Sequence, residues 1–157
     1  MEPGGPERLG RLFDEHAGPL ALYARQWCDT PEDVVQDAFV ALARQGRWPD
    51  RVVPWLYRVV RNGAIAAARQ ARRRQKREGR AAASEAWFAT TDDRIDAQAA
   101  SRLLAEIDGD VREVIVARIW GALTFEEIAR LQGCSLTTAH RRYQCGLARL
   151  QERLGPS

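Results

Sequence analysis

The side chains with the clearest chemistry are arginines. Read at about 100° per residue, Arg58, Arg61, Asn62, Arg69 and Arg72 fall on one face of a single helix, together with Ile65. A guanidinium stays charged at physiological pH, so these groups are not proton shuttles. Their chemistry is the forked gripping of oxyanions, phosphate above all. A second set follows near the C-terminal end, where Thr137, Thr138, Arg141, Arg142 and Gln144 follow Ser135. Hydroxyl, amide and guanidinium groups on one short helix suit base edges and phosphates in a DNA major groove.

Groups for catalysis are absent from the pattern. The two histidines, His16 and His140, lie far apart, and no glycine-rich phosphate loop or nucleophile motif occurs. His140 and Cys145 are five residues apart and have no further ligands beside them, which makes a poor zinc pair. No enzyme activity, cofactor or metal is expected. Cys28 reads as a small buried apolar residue.

Charge along the chain sharpens the arginine pattern. The net charge of the 157 residues is only +3, from 24 basic and 21 acidic side chains, and Lys76 is the single lysine. Residues 51–80 hold ten basic groups and one acid, whereas residues 1–50 hold five and nine. Residues 81–134 are again acidic, and 135–157 carry four basic groups against one acid. Two positive blocks separated by negative ones are the footprint of a nucleic-acid binder. The competing interpretation is a solvated arginine-rich helix, but such faces usually mix signs, and this one has no acid before Glu78.

The length allows one ordinary domain or two small ones, and excludes a barrel of roughly 250 residues. No apolar run approaches the roughly 20 residues of a membrane span. The N-terminus lacks a secretory pattern, and Cys28, Cys134 and Cys145 form no Cys-x-x-Cys pair. A cytoplasmic protein with no membrane association is expected.

The elements that would position the arginines are helices, because no stretch alternates with period two. The first is expected over about Glu7–Trp27, with Leu9, Leu12, Phe13, Leu20 and Tyr23 in its apolar stripe and a possible kink at Pro19. Thr30-Pro31-Glu32-Asp33 marks a second start, with Thr30 as cap, and this helix should end near Gly46. The third begins near Pro54 and buries Leu56, Val60, Gly63, Ala67 and Ala71. Periodicity lapses from about Gln75 to Gln98, and Trp87-Phe88 sits inside that stretch. Four further helix patterns follow, the second capped by Asp110 with Val111, Val114, Ile115 and Ile119 as its apolar stripe. Thr124-Phe125-Glu126-Glu127 is a capping box, Gln132-Gly133-Cys134 a turn, and Ser135 the cap of the last helix. That last pair spells helix-turn-helix, with Leu136, Ala139, Tyr143, Leu147 and Leu150 as the buried stripe.

Three blocks then carry a family resemblance over about Leu9–Leu154. They are Glu32-Asp33-Val34-Val35-Gln36-Asp37-Ala38-Phe39, Trp55-Leu56-Tyr57-Arg58-Val59-Val60-Arg61-Asn62, and Leu123 through Leu150. In this order the chain resembles a bacterial RNA polymerase sigma factor of the extracytoplasmic-function group of the sigma-70 family. The resemblance implies an all-α protein of two small domains. Residues 5–78 would form a three-helix sigma-2-like domain, 79–95 a linker, and 96–155 a four-helix sigma-4-like helix-turn-helix domain.

It also implies roles. Asp33, Gln36 and Asp37 would dock on the β′ clamp helices of core RNA polymerase, with Phe39 nearer the core. The β flap would be a further polymerase contact. Arg58, Arg61, Asn62, Arg69 and Arg72 would face the −10 promoter DNA, and Ser135, Thr137, Thr138, Arg141, Arg142 and Gln144 the −35 DNA. Trp48 and the Gly46–Val53 loop could offer a stacking surface. An anti-sigma factor is a partner the family allows for, although no residue pattern here reveals one. Relatives often carry an acid near Ala66, and lysine or arginine where His140, Cys145 and Leu147 stand. Gly146 within the last helix should cost about 1 kcal/mol relative to alanine. A polymerase-independent helix-turn-helix regulator is the alternative, and it would have no use for Asp33, Gln36 and Asp37.

Overall fold

The computed structural model describes residues 5–79 and 102–154. All regular structure among them is helical. The chain divides into two compact units, Met1–Phe88 and Ala89–Ser157. The expected linker beyond Gly79, including Trp87-Phe88, lies outside the described residues.

The first unit packs three helices: α1 (Pro6–Ala24), α2 (Pro31–Ala43) and α3 (Val52–Arg77). Their shared core is Leu20, Tyr23, Val35, Ala38, Leu42, Leu56, Tyr57, Val60 and Ala64. Helix α1 buries only its C-terminal half, Leu20 through Ala24. Phe13, expected in the stripe, is 40% exposed and rests edge-on against Phe39 at 5.1 Å. Pro19 sits inside the helix without ending it. The helix stops three residues short of Trp27: the Gln26 and Trp27 N–H groups tighten to i−3 bonds on Tyr23 and Ala24, at 3.2 and 3.1 Å, and the Cys28 N–H and thiol both donate to the Ala24 carbonyl, at 3.3 and 3.6 Å.

That turn leads into the start of α2. Thr30 stands at the N-cap but makes no side-chain capping bond. Its hydroxyl and backbone lie beside the Cys28 thiol and favour its ionised form there. The start therefore relies on Pro31 at the first position and on Glu32 and Asp33 in the first turn. Helix α2 ends at Ala43, before Gly46, and α3 starts at Val52, two residues ahead of Pro54. Trp48 is not a free stacking surface. It is 7% exposed, with the Arg8 guanidinium over its ring at 4.9 Å.

In the second unit a helical turn at 102–105 precedes α4 (Gly109–Ile115). Asp108, rather than Asp110, holds the N-cap position of α4, without a side-chain bond. Arg112 is buried and donates to the carbonyls of Leu104 and Ile107 at 3.3 and 3.2 Å, tying the preceding turn to α4. Burial lowers its pKa, and the two carbonyls both accept from one amino group of the guanidinium. Helix α4 continues into a π-helical segment, Val116–Trp120, before Gly121. The wider turn shifts side-chain register, and Ile119, expected in the apolar stripe, is 45% exposed.

Helices α5 (Phe125–Gln132) and α6 (Leu136–Leu154) complete the unit. Thr124 and Glu127 form the reciprocal capping box, at 3.1 and 2.8 Å. Gly133 ends α5 in the left-handed region at φ 63°, where glycine carries no steric penalty. Ser135 accepts from the Thr138 N–H at 3.1 Å, as a cap should. Leu136 departs from the expected stripe: on the first turn of α6 it is 42% exposed. Gly146 departs in the opposite sense, because it is buried against α4.

Candidate nucleic-acid interface

Burying Leu56, Tyr57, Val60 and Ala64 turns the opposite face of α3 to solvent. On that face Arg58, Asn62, Arg69 and Arg72 are exposed, and Arg61 and Ile65 are half-buried. The helix carries no acidic residue over its 26 positions. The guanidinium of Arg61 lies over the Trp27 ring, 5.4 Å from its centroid.

The three α2 residues expected to dock polymerase are all exposed, but they divide between two grooves. Asp33 and Asp37 line the α2–α3 side together with Arg69 and Arg73. The helices come close there, and a Cβ at Gly63 would lie 3.2 Å from Val34 Cγ1. Gln36 lines the α1–α2 side beside Leu9, Phe13 and Val40. Phe39 lines that groove too but is only 5% exposed, so it belongs mainly to the core.

On α6, Thr137, Arg141 and Gln144 are exposed, and so are His140 and Cys145. Ser135 is exposed at the cap and donates to Thr138 Oγ1 at 2.9 Å. Arg142 is engaged elsewhere. One amino group donates to Gln132 Oε1 at 2.8 Å, and the other lies 3.6 Å from Asp110 Oδ2. Gln132 in turn donates to the Asp110 carbonyl at 2.9 Å and to Glu113 Oε2 at 3.0 Å. Arg142 and Gln132 thus lock the angle between α4, α5 and α6.

His140, a poor zinc ligand by its spacing from Cys145, has an aromatic partner instead. Its ring stacks on Phe125, with centroids 4.0 Å apart and planes 34° apart. Arg118 lies over the same Phe125 ring at 4.4 Å and donates to the Leu123 carbonyl at 2.9 Å. The spacing Thr137, His140, Arg141, Gln144 alone would have put this histidine on the exposed face. Trp27 carries no such signal in the sequence, since its partner Arg61 is distant along the chain.

Among the described residues no group of three His, Cys, Asp or Glu could hold a metal ion. None of the described helices is long and apolar enough to cross a membrane.

This arrangement has close relatives. Residues 12–74 match the family Sigma-70 region 2, and residues 97–150 match Sigma-70, region 4. The RNA polymerase sigma factor CarQ of Myxococcus xanthus is 30% identical over 161 residues, covering 97% of this chain and 92% of CarQ. Among solved structures, the sigma factor RpoE in complex with the anti-sigma factor NepR from Bartonella quintana superposes with a TM-score of 0.71 at 25% identity. That match covers 96% of this chain and 98% of RpoE. CnrH, solved in complex with the cytosolic domain of CnrY, gives 0.60 at 25% identity, covering 96% and 90% of the two chains.

The two helical units and their sequence matches define a transcription initiation factor. The chain belongs to the sigma-70 family of RNA polymerase sigma factors, in its extracytoplasmic-function group. It binds core RNA polymerase and promoter DNA and directs promoter-specific initiation. The family is one of non-enzymatic transcription regulators.

Proposed function

We propose that the work of initiation is divided along the chain. Residues 5–78 dock on the β′ clamp helices through Asp33, Gln36 and Asp37, and read the −10 element through Arg58, Arg61, Asn62, Arg69 and Arg72. Residues 96–155 contact the β flap and read the −35 element through Ser135, Thr137, Thr138, Arg141 and Gln144. Arg142 acts there chiefly by holding α6 in place. Residues 79–95 are the linker.

The observation that carries this reading is the acid-free, arginine-lined outer face of α3, opposite the buried Leu56, Tyr57, Val60 and Ala64. Capture of splayed bases offsets an unstacking cost of a few kcal/mol, and arginine–phosphate contacts release counterions. The protein acts in the cytoplasm and catalyses no reaction of its own. The RpoE and CnrH structures, solved with protein partners, support regulation by an anti-sigma factor.

Two variants separate the roles. Gln36→Ala combined with Asp37→Arg should abolish pull-down of core polymerase while the circular dichroism spectrum is retained. Arg58→Ala with Arg61→Ala should reduce open-complex formation, read by permanganate footprinting, more than polymerase binding. Equal loss of both activities in the arginine variant would refute the −10 assignment. Unchanged polymerase binding in the α2 variant would refute the docking assignment.

A further inference from the structure

Trp27 stands in the corner between α1 and α2, in neither helix. One edge of it is anchored. Its ring meets Tyr23 edge-to-face at 5.1 Å and 81°, and Tyr23 leans on Tyr57 at 4.9 Å. Both tyrosines are 0% exposed, so this base cannot swing. The Trp27 ring itself is only half-buried, unlike that of Trp48. Over it lies the guanidinium of Arg61, which borders the row of exposed Arg58, Asn62, Arg69 and Arg72.

Single-stranded nucleic acid is bound by this combination of chemistry: cations along the backbone and a fixed aromatic surface on which an unpaired base stacks. A cation–π contact between a half-buried arginine and tryptophan is of the same order as one base–aromatic stack. Arginine can therefore leave the ring for a phosphate when a base arrives to replace it.

We propose that Trp27 is the stacking surface for an unpaired base of the melted −10 strand. In the free protein Arg61 covers the ring; on the open promoter Arg61 moves to a phosphate and the base takes its place. This rests on the reading of the outer face of α3 as the −10 surface.

The test uses holoenzyme and forked promoter DNA with a single-stranded −10 segment, including forks carrying one abasic site at each −10 position in turn. Trp27→Ala should weaken binding of the intact fork roughly tenfold, the scale of one lost base–aromatic stack. One abasic position should cost the wild type a similar factor and cost Trp27→Ala nothing more. If Trp27→Ala fails to fold, Trp27→Leu fills the corner without a π face and should behave the same way, whereas Trp27→Phe should keep most of the binding. Equal losses for wild type and variant at every abasic position would overturn the proposal. Arg58→Ala tells the two failures apart. Weakened fork binding in Arg58→Ala, with Trp27 variants unaffected, overturns the Trp27 role alone. Unchanged fork binding in Arg58→Ala removes the −10 reading of α3 and the proposal with it.

Discussion

Gly146 on α6 faces Ile115 on α4 so closely that a Cβ added to it would stand 2.5 Å from Ile115 Cγ1 and 2.6 Å from Cδ1. Val111 Cγ1 would be 3.0 Å away. Ile115 is 0% exposed and has no room to retreat. Hydrogen as a side chain is what lets α6 lie directly on α4.

Gly146→Ala is therefore expected to destabilise the protein. Alanine gains about 1 kcal/mol in helix propensity, but overpacking a rigid core typically costs 1–3 kcal/mol. A net loss of about 1 kcal/mol is predicted, measured by urea denaturation. A gain in stability would mean that the α4–α6 contact is looser than described.

Tyr57 gives a prediction of the opposite sign. Its hydroxyl is buried without a hydrogen-bond partner, and leaving such a group unsatisfied costs about 1–3 kcal/mol. Tyr57→Phe removes the oxygen and keeps the ring that supports Tyr23. It should raise the midpoint of thermal unfolding, and a clear drop would show that the hydroxyl has a partner.

Cys28 should make stability depend on alkaline pH. Burial is the main cause that raises its thiol above the ordinary value of 9.0. The folded state thus holds its proton at a pH where the unfolded chain has released it. The contribution is complete below about pH 9 and falls as pH rises toward the folded value. Denaturant midpoints taken from pH 8 to 10.5 should decline more steeply for the wild type than for Cys28→Ala. Parallel profiles would contradict this.

Two neighbouring arginines on α6 should separate by mechanism. Arg141→Ala should weaken −35 duplex binding roughly tenfold, flatten its salt dependence and leave thermal stability unchanged. Arg142→Ala should lower stability by about 1 kcal/mol by leaving Gln132 Oε1 with only the weak Cys134 thiol donor at 3.9 Å. Melting curves and duplex titrations at two salt concentrations distinguish the pair.

Periodicity carried the helices well where it had an uninterrupted run to act on. The outer face of α3 followed directly from the spacing of Arg58 to Arg72, and the capping box at Thr124 and Glu127 was explicit in four letters. Ends were less legible. Thr30 is a good cap by type, yet its side chain makes no capping bond. The π segment at Val116–Trp120 has no letter of its own, so Ile119 was expected inside. Gly146 looked like a weakness because its benefit lies on another helix. The two tryptophans were illegible for the same reason: Trp48 is buried under Arg8 and Trp27 stays half-buried beside Arg61, and helix packing alone brings those arginines into place.

This chain converts core polymerase into a promoter-specific enzyme. Multi-round transcription in vitro, with cognate core RNA polymerase and a genomic fragment library, tests it most directly. Adding the protein should produce transcripts from a small set of shared −35 and −10 sequences, and Gln36→Ala with Asp37→Arg should abolish them. Transcripts no different from those of core polymerase alone, from protein that is folded and able to bind DNA, would contradict the account.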